Sequence, residues 1–156
     1  MSRIEEALAA RGLVLPTPPT PIANFLPYAV HDGLVFLAGQ VNEWNGSVPY
    51  LGKVGTELDV EAGRRAAELC ALNLLACLKL ACAGDLDRVQ RCLRVGGFVH
   101  CEPGFAHSPA VINGASDLFV HVLGSAGRHA RTAVGVSGLP RGAAVEVDAV
   151  FVIREE

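Results

Sequence analysis

The pattern of apolar and polar residues along the chain predicts two long helices. The longer one covers about residues 59–83, where Asp59 can cap the first turn and Gly84 can end the helix. Its first half has one polar face, whereas its second half is apolar almost all round, so it has to be covered on more than one side. The second helix is predicted to run from Ser108-Pro109 to the residue before Gly124.

Strand-like runs occur before, between and after these helices. Asn24–Val30 and Leu34–Ala38 flank His31-Asp32-Gly33, where the Asp-Gly step favours a tight hairpin turn. Three further runs of this kind are Leu93–Cys101, Arg131–Val136 and Val145–Ile153. The element order ββ-α-β-α-ββ predicts an α+β fold, in which two helices lie on one face of a mixed sheet of five or six strands.

The first 23 residues differ in pattern from the rest of the chain. Residues 2–11 have helical periodicity, and Ser2 can cap that helix. The next segment, LPTPPTPI, is too rich in proline for regular structure. We therefore predict an N-terminal helix and proline-rich arm over residues 1–23, and a single domain over residues 24–156.

The last two strand-like runs are predicted to form a hairpin with a four-residue loop at 137–140. In that register Arg131 lies opposite Glu146 on the sheet face that no helix of the chain covers. By spacing alone, the pair is more often an ordinary cross-strand ion pair on a solvated sheet face than part of a site. A partner subunit is the expected cover for this face.

Composition narrows the possible classes of function. With 51% hydrophobic and 19% charged residues among 156, the chain can form a buried core without a disulfide or a metal. Its formal net charge of −3 and its lack of a basic run argue against nucleic-acid binding. The longest apolar stretch, Leu69–Ala83, is too short and too polar to span a bilayer. Acidic residues near the N-terminus argue against a signal peptide, so we expect a cytoplasmic protein without membrane contact.

The cysteines and histidines indicate neither a metal site nor a cofactor. The cysteines are odd in number and have no Cys-x-x-Cys spacing, which is typical of small buried side chains. They are Cys70, Cys77, Cys82, Cys92 and Cys101. His100, His107 and His121 lack ligand spacing with any Cys or acid, and His129 is expected to be a surface loop residue.

The most specific motif is a series near the C-terminus. It begins with Gly-Arg-His-Ala-Arg-Thr-Ala-Val-Gly-Val at 127–136 and continues with Leu139-Pro140 and Val145-Glu146-Val147. Shorter matches are Ala38-Gly39-Gln40, residues 52–55, residues 84–89 and Asn113. Over residues 24–153 this order resembles the Rid family (reactive intermediate deaminases, also called the YjgF family), in particular its divergent subgroup with the Gly-Arg-His-Ala-Arg string.

The resemblance implies a fold, an assembly and an activity. Members of the family have a chorismate-mutase-like α+β fold and form homotrimers with ligand clefts between subunits. The best-known members hydrolyse enamines and imines, such as 2-aminoacrylate, to 2-keto acids and ammonia without a cofactor. The partner that the resemblance implies is therefore a small carboxylate-bearing metabolite.

The resemblance also implies roles for four residues of this chain. Arg131 would hold the substrate carboxylate through its two-pronged guanidinium. Glu146 would position or activate water, which makes it the implied catalytic residue. The backbone of Gly39 and the side chain of Asn113 would line the cleft.

Three positions of the implied pocket depart from the deaminase pattern. Phe25 stands where deaminase members have Tyr, Ala38 where they have Ser, and Ala133 where they have Cys. Three hypotheses therefore remain open: an enamine or imine deaminase, a non-catalytic metabolite-binding or regulatory trimer, and an endoribonuclease, an activity attached to some relatives. The retained Glu146 favours the first, and the missing polar groups favour the second.

Overall fold

One mixed five-stranded sheet with helices on a single face makes up the fold of the computed structural model, which describes all 156 residues. In chain order the elements are α1 (Arg3–Ala10), β1 (Tyr28–His31), β2 (Leu34–Val41), α2 (Val60–Ala81), β3 (Val89–His100), α3 (Ser108–Leu123), β4 (Ala130–Val136) and β5 (Val145–Ile153). The strand order across the sheet is β1-β2-β5-β3-β4, and α2 and α3 pack against each other and the sheet. The predicted α+β architecture is confirmed.

Short-range sequence signals determine several element boundaries. The Asp59 side chain accepts a hydrogen bond from the Ala62 amide at 2.7 Å and caps α2, as predicted. Gly84 has φ of 92° just after the helix, a conformation that glycine adopts readily. Asp32 and Gly33 also have positive φ, 49° and 75°, and form the predicted two-residue turn between β1 and β2.

The apolar second half of α2 is covered on several sides by other parts of the same chain. Residues 70–78 are all buried, and the helix contacts α3, β2 and β5. On the outer side, Leu15 of the proline-rich arm lies near Leu80, and Lys79 forms an ion pair with Glu5 of α1 at 2.6 Å. The helix therefore needs no second subunit as cover. No helix of the structure combines the length and hydropathy that crossing a membrane requires.

β4 and β5 do not form the predicted hairpin, because β3 lies between them. β4 pairs in parallel with β3, which places Arg131 beside Val95. β5 pairs antiparallel with β3, which places Glu146 beside Phe98. The strand–helix–strand order β3-α3-β4 accounts for the parallel pair, since a crossover helix joins parallel strands. The connection of residues 137–144 then crosses the end of β3.

Arg131 and Glu146 consequently lie on opposite faces of the sheet. Along β5, the odd-numbered residues from 145 to 153 are buried, whereas Glu146 and the other even-numbered residues are half-buried on the face away from the helices. Arg131 shares the helix-covered face with Val95 and hydrogen-bonds to α3. The predicted Arg131–Glu146 pair on the uncovered face is therefore wrong.

The sheet face opposite the helices has no cover within one chain. Its apolar residues include Leu34, Phe36, Phe98, Val134, Val150 and Val152. Phe36 and Val134 remain 51% and 41% exposed. Arg94 and Asp148 form an ion pair on the same face at 3.3 Å. An isolated chain therefore exposes a broad, partly apolar surface to water.

All five cysteines are buried with free thiols, which confirms the sequence prediction. Burial raises the pKa of Cys77 to about 11 and the pKa of Cys92 to about 12. These thiols are therefore protonated at neutral pH and behave as small apolar groups.

Candidate functional site

Arg131 is held at the edge of the sheet by neutral acceptors of α3. Its Nη1 donates to Asn113 Oδ1 at 2.8 Å and to Ser116 Oγ at 3.2 Å, and its Nη2 donates to the Pro109 carbonyl oxygen at 3.4 Å. Several other arginines pair with carboxylates, but no carboxylate lies within 4.0 Å of Arg131. The charge of this half-buried side chain is therefore hydrogen-bonded but has no counter-charge.

The hydrogen bonds to α3 leave one edge of the Arg131 guanidinium free. A guanidinium carries five N–H groups, and the contacts to Asn113, Ser116 and Pro109 use three of them. One of the remaining two is on Nε and the other is on Nη2, and these two nitrogens share one edge of the planar group. Two adjacent donors of this kind match the two oxygens of a carboxylate.

His129 contacts Ser116, one of the residues that hold Arg131 in place. Its Nε2 lies 2.8 Å from Ser116 Oγ, and its Nδ1 lies 2.7 Å from the Gly127 carbonyl oxygen. A carbonyl oxygen only accepts, so Nδ1 carries the proton and Nε2 accepts from the Ser116 hydroxyl. Burial, together with the charge of Arg131, lowers the pKa of His129 below its usual 6.5. His129 is half-buried and hydrogen-bonded, so the prediction of a surface residue is wrong.

Glu146 lies on the uncovered face next to Gly39, where the pairing of β2 with β5 is irregular. The register shifts between Leu37 and Gln40, and Gly39 lies in this bulge. A Cβ atom on Gly39 would lie 2.6 Å from Glu146 Oε2, so the carboxylate occupies the space that any side chain would need. Burial raises the pKa of Glu146 above the usual 4.5, and the charge of Asp148 adds to this effect.

A cavity of about 420 Å³ opens beside Glu146. Its lining includes four residues predicted for the site, Phe25, Ala38, Gly39 and Glu146. The proline-rich arm contributes Pro19 and Pro21 to the wall. Arg141 and Glu43 also line the cavity, where they form an ion pair with each other. Glu146 is therefore the ionisable group of this cavity that has no partner of opposite charge.

The structure brings the predicted site residues into two groups. The cavity group contains Phe25, Ala38, Gly39 and Glu146, and the helix-side group contains Asn113, Arg131 and Ala133. Within one chain the sheet separates the two groups. No group of three or more His, Cys, Asp and Glu side chains is arranged as metal ligands.

Ser116 and His129 belong to the helix-side group, although the sequence did not predict a role for either. The signal for Ser116 is its position three residues after Asn113, which places both on one face of a helix. The signal for His129 is its position two residues before Arg131, which gives both the same side of an extended segment. Neither spacing is specific enough to identify a contact without the fold.

Known proteins resemble this chain over nearly its whole length. The model of a family described as "YjgF/chorismate mutase-like, putative endoribonuclease" matches residues 5–149. Protein TCP17 of Trypanosoma cruzi is 40% identical over 149 residues, which cover 95% of this chain and 92% of TCP17.

Solved structures give the same assignment. The crystal structure of Atu1372 from Agrobacterium tumefaciens, a protein of unknown function, has a TM-score of 0.92 and 43% identity, covering 97% of this chain and 93% of Atu1372. A Shewanella oneidensis protein that carries the same endoribonuclease description has a TM-score of 0.92 and 31% identity, covering 96% and 99% of the two chains. With its fold, its C-terminal series and these matches in agreement, the chain belongs to the YjgF/chorismate-mutase-like family, also called the Rid family.

Proposed function

We propose that this protein is a homotrimer that binds a small carboxylate-bearing metabolite between subunits and hydrolyses enamines or imines to 2-keto acids and ammonia. The observation that carries the proposal is the state of Arg131, a half-buried cation with two adjacent free donors and no carboxylate within 4.0 Å. A ligand carboxylate supplies the missing counter-charge through two charge-assisted hydrogen bonds. A contact to a charged group of this kind contributes roughly 1.5–3 kcal/mol.

The trimer is proposed because the two groups of site residues cannot meet in one chain. Arg131 faces the helices and Glu146 faces the opposite side of the sheet, so a ligand of a few atoms cannot contact both. A second copy can bring its own Arg131 edge to the Glu146 cavity of the first. A head-to-tail contact of this kind closes into a ring. The ring also covers the apolar sheet face that one chain leaves exposed.

In the assembled site, Arg131 of one subunit holds the substrate carboxylate, and Glu146 of its neighbour acts on water. Glu146 accepts a proton as the water oxygen bonds to the imine carbon and the C=N electron pair moves to nitrogen, and Glu146 then returns that proton to the nitrogen. The resulting carbinolamine transfers its hydroxyl proton to the nitrogen as the C–N bond breaks, which releases ammonia and leaves the keto acid. The raised pKa of Glu146 suits this role, since a base is most effective when its pKa approaches the working pH. Gly39 leaves the space that the carboxylate occupies.

Mixing two inactive variants tests the shared site. Arg131→Ala and Glu146→Gln should each lower ammonia release from freshly generated 2-aminoacrylate to a small residual rate. When the two are denatured together in equal amounts and refolded, about one quarter of the sites in random trimers combine an intact Arg131 with an intact Glu146. Activity should therefore return to about a quarter of the value for refolded parent protein.

Refolding each variant alone is the control, and it should restore nothing. If the mixture stays inactive although native mass spectrometry detects mixed trimers, the shared site is wrong. If the parent protein binds pyruvate through Arg131 but releases no ammonia, the second candidate, a non-catalytic binding trimer, replaces the enzyme.

That second candidate is favoured by the apolar residues at three positions. Phe25 and Ala38 line the cavity, and Ala133 lies two residues along β4 from Arg131, on the same face. Each lacks the polar group that deaminase members have there. Ammonia release separates the candidates: Glu146→Gln should lower it in an enzyme, whereas a binding protein has no turnover for the substitution to remove, and the pyruvate affinity should stay near the parent value in both cases.

Endoribonuclease activity is the candidate that the descriptions of the family and of the Shewanella oneidensis protein favour. The net charge of −3 gives this chain little electrostatic attraction for RNA. Incubation with a labelled single-stranded RNA, with Arg131→Ala and Glu146→Gln alongside, tests it. Cleavage by the parent that either substitution abolishes would support the nuclease over the deaminase.

A further inference from the structure

We infer that Ser116 and His129 form a positioning pair that holds the Arg131 guanidinium with its free Nε–Nη2 edge directed to the ligand. The inference rests on the proposed function, because it concerns how the carboxylate-binding group of that site is oriented. Ser116 contacts Nη1, which is not part of the free edge, and His129 contacts Ser116 but makes no hydrogen bond to Arg131. Both residues therefore act on the ligand through Arg131.

The direction of each hydrogen bond follows from the donor inventory. The Gly127 carbonyl fixes the proton of His129 on Nδ1, so Nε2 is an acceptor. The single hydrogen of the Ser116 hydroxyl therefore points to Nε2 at 2.8 Å, and a lone pair of Oγ is left for Arg131 Nη1 at 3.2 Å. Without the acceptor on His129, the hydroxyl could rotate and turn its hydrogen toward the guanidinium.

His129 is itself held in place by its neighbours, so it can orient the Ser116 hydroxyl. Its ring meets Phe119 edge-on, with 6.1 Å between the ring centroids. A Cβ atom on Gly127 would lie 2.2 Å from the Phe119 carbonyl oxygen, so only glycine lets this turn pass so close to α3. The Gly127 carbonyl, which accepts the hydrogen bond from His129 Nδ1–H, is thereby fixed relative to the helix that bears Ser116.

The charged groups around His129 support a role through Ser116. Arg131 on β4 is the charge that acts on the ring, and Arg91 on β3 donates to the Arg128 carbonyl beside it. From α3 the contact is the neutral hydroxyl of Ser116. No carboxylate lies within 4.0 Å of His129, so the ring is not a member of an ion pair. A neutral ring that accepts one hydrogen bond is the arrangement that positioning requires.

Four variants test the pair, with pyruvate as the calorimetric probe of the full-length protein. Ser116→Ala and His129→Leu should each weaken pyruvate binding about tenfold, since each removes one hydrogen bond that orients a charged group. The double variant should bind no more weakly than either single variant, because the two residues act as one unit. His129→Gln, which can place an acceptor where Nε2 lies, should recover most of the affinity.

Matched controls are Ser125→Ala and His107→Leu, which alter an exposed serine and an exposed histidine. Both should leave the pyruvate Kd unchanged, and thermal unfolding checks that every variant is folded. In the Arg131→Ala background, Ser116→Ala and His129→Leu should have no further effect. If Arg131→Ala abolishes binding while Ser116→Ala and His129→Leu leave it intact, the pair is refuted and the proposed function stands.

The inference can also be tested without a ligand. This second test is needed if the parent protein does not bind pyruvate, a result that would contradict the proposed function. Nitrogen-15 spectra of the histidine rings should show a neutral His129 with the proton on Nδ1. Ser116→Ala should shift the Nε–H signal of Arg131, whereas Ser125→Ala should not. A proton on Nε2 of neutral His129, or an unchanged Arg131 signal, would overturn the inference.

Discussion

At the scale of single residues, the candidate site is defined by the charges that the chain leaves unpaired. Arg94 and Arg141 both have a carboxylate partner, whereas Arg131 has only neutral acceptors. Glu146 likewise has no cation beside it, and its burial raises its pKa. Two groups of opposite charge that each lack a partner, on opposite faces of one sheet, are what a site shared between copies requires.

The planar guanidinium of Arg131, with its adjacent N–H donors, is the first feature to test. Arg131→Lys keeps the charge but loses the two adjacent donors, so pyruvate should bind about tenfold to a hundredfold more weakly in calorimetry. Arg128→Lys, which changes the exposed arginine three residues earlier, is the matched control and should bind like the parent. Equal affinity of Arg131→Lys and the parent would mean that no carboxylate is clamped at this position.

The space at Gly39 gives a second test. Gly39→Ala would place a Cβ 2.6 Å from Glu146 Oε2, so the carboxylate has to move and ammonia release should fall at least tenfold. Gly138→Ala is the control, because a Cβ there meets no atom within 4 Å. An active Gly39→Ala protein would show that the position of the Glu146 carboxylate does not matter to the reaction.

The titration of Glu146 gives a third test. Only the ionised carboxylate can accept a proton, and its pKa lies above 4.5, so kcat should rise with pH through that raised pKa and level off above it. Glu146→Gln should lower kcat and abolish this acid limb while leaving the pyruvate Kd nearly unchanged. If kcat of Glu146→Gln falls at low pH in the same way as kcat of the parent, another group is responsible for the titration.

At the scale of elements, local signals were sufficient for helices and turns but not for strand pairing. Asp59 and the Asp32-Gly33 step act within a few residues of themselves, and the structure has them where the sequence predicted. The hairpin of β4 and β5 was wrong because pairing depends on β3, which lies more than thirty residues upstream of Arg131 in sequence. The β3-α3-β4 order was the signal for a parallel pair, which the hairpin prediction did not use.

The dependence of contacts on tertiary structure also explains which site residues could be placed together from the sequence. Resemblance named Arg131, Asn113 and Glu146, but the contact between Ser116 and His129 depends on how α3 packs against β4. The separation of Arg131 from Glu146 by a whole sheet depends on the strand order. Both are consequences of tertiary structure, which the period of two along a strand cannot supply.

The ion pair that joins Glu5 of α1 to Lys79 of α2 predicts a specific pH dependence of stability. The hydrogen bond from Lys79, followed by that from the Ser2 amide, lowers the pKa of Glu5 from 4.5 to about 2. The stabilisation is therefore complete above pH 4.5 and is lost as pH falls toward about 2. Chemical unfolding across this range should show a shallower loss of stability for Glu5→Gln than for the parent.

Glu6→Gln is the matched control, since Glu6 is the exposed neighbour on the same helix turn. Its unfolding free energy should follow the parent across the whole pH range. If the unfolding free energy of Glu5→Gln falls at low pH as steeply as that of the parent, the Lys79 contact does not contribute to stability.

At the scale of the whole molecule, the uncovered sheet face predicts assembly. Sedimentation equilibrium at micromolar concentration should give the mass of a trimer. Phe36→Asp places a charge in the middle of this face, where the ring is 51% exposed, and should shift the equilibrium toward monomer. Val14→Asp alters a valine that is 63% exposed in the arm and should leave the trimer intact. A dimeric parent would contradict the ring.

The central place of β5 has a consequence for how the protein is made on the ribosome. β5 is synthesised after the other four strands of the sheet, yet it lies between β2 and β3 in the finished sheet. Until it emerges, β2 lacks one neighbour and β3 lacks another, so nascent chains present open strand edges that invite pairing with other chains. A chain that stops at residue 144 loses the middle of its sheet, although it retains every helix. Premature termination near the C-terminus should therefore produce aggregates instead of a shortened but folded protein.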